Sequence, residues 1–344
     1  MATKSVAVYG ATGHTGRFVV TELTRRGLVP VAVGRDEAKL AVAGLGADVE
    51  TRVAPIDDPA LLDRALTGVA AVINCAGPFL DTAEPVAAAA LQRSIHYLDV
   101  TAEQASAQAT FARFDEAARS SGVLVIPAMG FYGGLADLLV TAAADGWERV
   151  DDVRIVVALD SWQPTLGTRI TGDRNTARRM IVADGELRPV PEPPSELVLE
   201  LPEPFGRQDV VEVPLSEVVT ITRHLSVGAL HSYLNQAPLR DLHDPTTPPP
   251  TIDESGRSPQ IFLLEVRLRR DTEVRRGIIR GRDIYAVTAP LVCEATEQIL
   301  NGSAKRVGAV APGEAFDAHR FLAALSPHEL TIEITILNRR REEK

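Results

Sequence analysis

Three glycines at intervals of three, Gly10, Gly13 and Gly16, follow directly on the alternating apolar run Val6-Ala7-Val8-Tyr9. Residues of this type at this spacing hold phosphates. The first glycine lets a strand turn sharply, the second keeps a Cβ out of the path of a pyrophosphate, and the third lets the next helix lie close on the strand. That helix, read from Arg17 to Arg26, would turn its free N–H groups and positive dipole end toward the anion. Gly10, Ala11, Thr12, Gly13, His14, Thr15 and Gly16 are therefore the first candidate binding segment, and its ligand would be a dinucleotide.

The residue after the second strand selects the nucleotide. An acidic side chain there would hold a ribose 2′-hydroxyl, but this chain has Gly34-Arg35. A guanidinium can grip a 2′-phosphate with paired, charge-assisted hydrogen bonds, so NADP (NADPH) is the expected cofactor. Asp36 reads as the start of a helix. Asp57 joins the cofactor-binding set where Asp57-Asp58-Pro59 opens the next helix. At the carboxyl end of the fourth strand stand Cys75, Ala76, Gly77 and Pro78, small residues that let the backbone approach a pyrophosphate. Cys75 could be a nucleophile, but a buried packing thiol accounts for it more simply.

A hydride-transfer site also needs a proton donor. None of the five tyrosines has Lys four residues later, which argues against short-chain dehydrogenase chemistry. No cysteine stands between Cys75 and Cys293, which argues against a semialdehyde dehydrogenase thiol. Asp99 and Glu103 follow the fifth strand and could face a nicotinamide, though helix capping explains Asp99 equally well. Tyr132 sits in a glycine-flanked turn. Arg223-His224 joins a cation to a group that titrates near neutrality, and Arg169 and Thr171 are comparable anion-binding candidates. Asp99, Tyr132 and His224 are the chosen catalytic candidates. No His/Asp/Glu cluster has ligand spacing, so no metal is expected.

The elements that must position these residues alternate strand and helix through about residue 140, with six central apolar strands. That pattern predicts a doubly wound parallel α/β sheet. Beyond it, alternating runs at Val153–Leu159, Leu197–Leu201, Val210–Val213, Val218–Thr222, Gln260–Arg270 and Glu273–Arg280 predict an inserted α+β domain on an antiparallel sheet. One helical segment, Arg174–Ala183, stands among them. Helices return at Ile284–Leu300 and Ala315–Leu325, and a last strand, Leu330–Leu337, precedes a charged tail. The domains are thus expected at 1–140 plus 284–325 for the nucleotide and 141–283 plus 326–344 for substrate and dimerisation. With 344 residues, 45% hydrophobic and 24% charged, the chain has the composition of an ordinary globular protein. Its net charge of −10 argues against nucleic acid as a partner. Two cysteines cannot build a disulfide framework, and neither a leader nor a membrane-spanning run is legible. The expectation is a cytoplasmic homodimer acting on a small molecule.

Together these segments resemble the saccharopine dehydrogenase-like oxidoreductases, including their trans-acting enoyl reductase branch. The likeness rests on the segment from Gly10 to Gly16, on Gly34-Arg35, on the segment from Asn74 to Phe79, and on the segment from His96 to Glu103. It continues in the segments from Pro127 to Phe131, at Ala136-Asp137, at Leu166-Gly167-Thr168, from Tyr285 to Leu300, and from Ala311 to Asp317. It is dense over about the first 140 residues and patchy in the middle. The resemblance implies a Rossmann domain interrupted by a sheet domain, a cleft between them, and hydride transfer to or from a C=N, C=O or activated C=C bond. Saccharopine itself fits poorly because the middle matches weakly. A non-catalytic NADP(H) sensor is the alternative, and an assembly role for the sheet is a third.

Overall fold

The computed structural model describes residues 4–304 and 306–337. The charged tail expected after Leu337 lies outside them. The chain opens with β1 (Ser5–Tyr9), α1 (His14–Arg25), β2 (Val29–Gly34), α2 (Glu37–Ala41), β3 (Glu50–Val53), α3 (Pro59–Ala65), β4 (Ala71–Asn74), α4 (Phe79–Gln92), β5 (His96–Asp99), α5 (Gln104–Ser121), β6 (Leu124–Ile126) and α6 (Gly134–Ala143). The middle runs through β7 (Arg149–Leu159), α7 (Leu166–Arg174), β8 (Met180–Ala183), β9 (Glu186–Pro189), β10 (Glu196–Leu201), β11 (Gly206–Glu212), α8 (Glu217–Thr222), β12 (Ser226–Asn235), α9 (Gln236–His243), β13 (Ile261–Arg270) and β14 (Glu273–Arg282). The chain then returns through α10 (Thr288–Leu300), β15 (Gly308–Ala309), α11 (Pro312–Ala315) and α12 (Ala318–Leu325), and closes with β16 (Leu330–Leu337).

The first sheet is parallel throughout and ordered β15-β6-β5-β4-β1-β2-β3. Its strand order reverses between β1 and β4, and ligands of open α/β sheets bind outside the carboxyl ends at such a point. Val6, Val8, Val31, Val33, Val72 and Ile73 are buried, because helices cover both faces and leave no solvent side for polar alternation. The seventh strand, β15, is two residues long and has no pattern to read. Local rules set the helix ends. Asp58 caps α3 by accepting the Ala60 and Leu61 N–H groups, Asp36 caps α2 through Lys39, and Gly122 closes α5 with φ 66°.

The second sheet is ordered β10-β11-β12-β7-β13-β14-β16, with the β8–β9 hairpin attached to β12. It is mixed, not wholly antiparallel, because β7 and β12 run parallel. The long connection between them, carrying α7, β8 to β11 and α8, returns the chain to the end from which β7 started. α6 packs on β13, β14 and β16 of the second sheet and is buried over most of its length, with Leu135, Leu138 and Leu139 inside.

Three readings of the middle change. Val218–Thr222 is helix α8, not a strand. Val218, Val219, Thr220 and Ile221 are all buried, so enclosure on every side overrides the β-branched preference. The helical segment stands earlier than Arg174–Ala183: Thr165 caps α7 by accepting the Thr168 N–H, and Met180–Ala183 is strand β8. The helix after Ile284 starts only at Thr288, because Asp283 folds the intervening residues into a turn by accepting the Tyr285 and Ala286 N–H groups.

Candidate active site

The glycine turn joins β1 to α1 at the switch point. Gly10 has φ +83°, and a Cβ there would stand 2.9 Å from Ala76, so the turns after β1 and β4 press together only because it is glycine. A Cβ on Gly16 would collide with the Gly10 carbonyl oxygen, which explains the close seating of α1 on β1. α1 begins at Gly13 with no capping side chain and no acidic residue in its first turn. Its leading N–H groups are thus left for an anion. Ala11 is buried, Thr12 and Thr15 are half-buried, and the Thr12 carbonyl accepts from Arg17 Nε.

Arg35 and Asp57 are exposed at the ends of β2 and β3. Both charges are felt at the Tyr9 hydroxyl, which burial pushes up to about 12, with Arg35 lowering it and Asp57 raising it. Across the turn, Asn74 braces Cys75, Ala76, Gly77 and Pro78. Its Oδ1 accepts the Ala76 N–H at 3.0 Å, and its Nδ2 donates to Thr82 and Tyr97. Glu103 caps α4 from outside, accepting the Phe79 and Leu80 N–H groups at 2.8 and 3.1 Å. Burial pushes the Cys75 thiol up, away from thiolate character.

The three catalytic candidates lie in different settings. Asp99 is fully buried. Its Oδ1 accepts the Thr101 and Ala128 N–H groups, and its Oδ2 accepts the Tyr97 hydroxyl. It binds the frame together and has no oxygen left over. His224 follows α8, not a strand, and its Nε2 lies 2.7 Å from Asp137 Oδ1 on α6. The neighbouring Arg223 guanidinium sits over the Phe111 ring, 5.0 Å from its centroid. Phe111 is about two turns into α5, so Arg223 packs along the side of that helix. Arg169 donates to the carbonyls of Leu242, Asp244 and Thr247, holding a loop.

Tyr132 is placed differently. It lies on a seam of rings between the nucleotide-binding half and the second sheet. His14 packs edge-on against Tyr285 at 5.4 Å. The Tyr285 hydroxyl accepts the Trp162 Nε1–H at 2.9 Å, Trp162 stacks on Tyr132 at 6.0 Å, and Tyr132 meets Phe131 at 4.9 Å. Two polar atoms on this seam, Tyr132 Oη and His14 Nε2, are buried with no hydrogen-bond partner. Burial pushes the Tyr132 hydroxyl well above its ordinary value, with Tyr285 and Glu217 adding to the effect. Burial lowers the His14 pKa. Sequence reasoning found Tyr132 and His14 but missed Trp162, which belongs to no motif, and the part played by the Tyr285 hydroxyl, since only the tertiary fold brings the two together.

These residues fit a dinucleotide: an uncapped helix start, a side-chain-free cradle, a cation beside the adjoining strand, and orphaned polar atoms beyond. Residues 6–126 match the family model of the saccharopine dehydrogenase NADP binding domain. The N-terminal third of the chain is thus similar to the nucleotide-binding domain of that family. The saccharopine dehydrogenase-like oxidoreductases of mouse and human are each 30% identical over 152 residues, 39% of this chain. The match spans 35% of their own length, about a third. An apo saccharopine dehydrogenase (L-Glu forming) from Saccharomyces cerevisiae superposes with a TM-score of 0.72 at 13% identity, covering 97% of this chain and 100% of that one. The common fold therefore extends over both sheets, and the N-terminal domain is one that binds a nicotinamide dinucleotide. Among the described residues, no group of three or more His, Cys, Asp or Glu is placed to hold a metal ion. No helix among them is long and apolar enough to cross a membrane.

Proposed function

We propose that the chain is a cytoplasmic, homodimeric NADP-dependent oxidoreductase acting on a C=N, C=O or activated C=C bond of a small metabolite. The observation that carries this reading is the uncapped start of α1 at the switch point, with Arg35 at the end of the adjoining β2. The relatives named above are oxidoreductases by name, which supports the reaction class but not a substrate. NADPH, when bound, supplies the hydride. The chain's own residues do the rest. The α1 N–H groups and the Cys75–Pro78 turn hold the pyrophosphate, and Arg35 holds the ribose phosphate. Tyr132, kept protonated by burial, holds a proton on the seam where substrate would meet the cofactor.

Two measurements test this. Ranking NADPH and NADH affinities by titration comes first, with NADPH expected to bind more tightly; tighter NADH binding overturns the choice of NADP. Stopped-flow loss of NADPH absorbance across a panel of imines, ketones and enoyl thioesters comes second. At least one class should oxidise the cofactor. Tight binding with no oxidation by any of them would instead favour a sensor.

A further inference from the structure

α7 turns hydroxyls toward the molecule where a packed helix ordinarily turns carbon. None of its residues is buried. Leu166 is 75% and Ile170 43% exposed on its outer side. The opposite side carries Thr165, Thr168 and Thr171, spaced by three and half-buried. The near end of this stripe is tied to the return segment: Thr168 Oγ1 is 2.9 Å from the Tyr285 hydroxyl, which also accepts the Thr165 N–H. The far end reaches the nucleotide-binding half, where Arg174 pairs with Asp81 of α4 at 2.9 Å. Between these anchors, a Cβ on Gly77 would stand 2.6 Å from Thr171 Oγ1. The turn after β4 is bare of side chain at the point where α7 arrives.

We infer that α7 is part of the dinucleotide site. It is a cover contributed by the second domain, and its threonine face, Thr171 foremost, hydrogen-bonds phosphate or ribose oxygens of a nucleotide held at the Gly10 and Gly77 turns. This rests on the nucleotide reading above. A hydroxyl suits the role because it donates to a phosphate oxygen and also accepts from a ribose hydroxyl. The absence of buried side chains suits it too, because a helix that buries so little lifts at small cost and lets the nucleotide in and out.

The test is a calorimetric titration of wild type, Thr171→Val and Thr171→Ser with NADPH, together with tryptic digestion with and without NADPH. Trypsin cuts after Arg169 and Arg174 of α7. Thr171→Val, nearly isosteric, should lose about tenfold in affinity, and Thr171→Ser should keep most of it. NADPH should slow cleavage of α7 several-fold in wild type and less in the valine variant. Equal affinities and unprotected α7, with wild type still binding NADPH, would remove α7 from the site and leave the nucleotide reading intact. Wild type that binds neither NADPH nor NADH would overturn both.

Discussion

Asp99 Oδ1 accepts the Ala128 N–H at 2.9 Å and so ties the end of β5 to the turn that carries Tyr132. Burial pushes the Asp99 carboxyl up to about 6, against the N–H groups of Ala128 and Thr101 and the Tyr97 hydroxyl, which pull it down. The folded state therefore holds this proton more tightly than the unfolded chain. The stability Asp99 contributes is complete below about pH 4 and is lost as pH rises through about 6. Asp99→Asn keeps the Oδ1 acceptor and removes the titration. Its stability relative to wild type should rise between pH 4 and 7, by an amount on the order of 2 kcal/mol. Denaturant unfolding of both proteins at several pH values measures this, and a constant gap contradicts it.

The His224–Asp137 pair has the same direction in a higher window. Burial presses the His224 pKa down, and the Asp137 carboxylate more than reverses it, leaving it above its ordinary value. The stability from this pair is therefore full below about pH 6.5 and falls as pH rises through the raised value. His224→Gln should cost on the order of 1 kcal/mol at pH 6 and progressively less in alkali. A variant whose melting temperature tracks wild type at a fixed offset from pH 6 to 9 would show that the pairing does not titrate.

Arg26 joins the first and last parts of the nucleotide-binding half. From α1's C-terminus it reaches Glu22 at 2.7 Å, Glu294 at 2.6 Å and Glu297 at 2.9 Å on α10, with its side chain only 11% exposed. Arg26→Met would leave Glu294 half-enclosed without its cation, while Glu22 keeps Arg25 at 2.6 Å. A loss of about 2 kcal/mol is expected, read from the urea midpoint. Adding Glu294→Gln should recover part of it, and strict additivity of the two changes would argue against coupling.

How much of this was legible from sequence follows from the range of each interaction. The glycine turn, the Asp58 and Asp36 caps and the Gly122 helix stop act over a few residues, and each stands where the pattern put it. Helix α8 did not follow its pattern. Val218, Val219 and Ile221 have the β-branched look of a strand, and only burial between α5, α6 and β12 makes them helical. The seam is legible in part. His14 and Tyr132 lie in glycine-rich turns that draw attention, but Trp162 and Tyr285 are 123 residues apart and meet through one hydrogen bond. The mixed second sheet depends on where a long connection re-enters, which no local pattern encodes.

Arg35 gives the cofactor choice a direct check. Its guanidinium is exposed at the end of β2, and on the proposed reading its partner is the 2′-phosphate. Arg35→Ser should therefore leave the melting temperature nearly unchanged and weaken NADPH about tenfold. NADH affinity should be unaffected. Equal losses for both nucleotides would mean that Arg35 serves the shared part of the cofactor.

Tyr132 separates stability from activity. A buried hydroxyl without a partner carries a desolvation cost of about 1–3 kcal/mol, and Tyr132 Oη is such a group in the unliganded chain. Tyr132→Phe removes that cost and keeps the stacking on Trp162 and the edge contact with Phe131. The variant should be at least as stable as wild type, and a rise of about 1–2 °C in melting temperature is expected for about 1 kcal/mol in a chain of this length. Turnover should fall by the 10²–10⁴-fold associated with losing a general acid, while NADPH affinity changes little. A variant that gains stability and keeps its turnover would make Tyr132 a ring of the seam and nothing more. One that loses stability would mean that the hydroxyl has a partner, such as an ordered water, that the folded chain depends on.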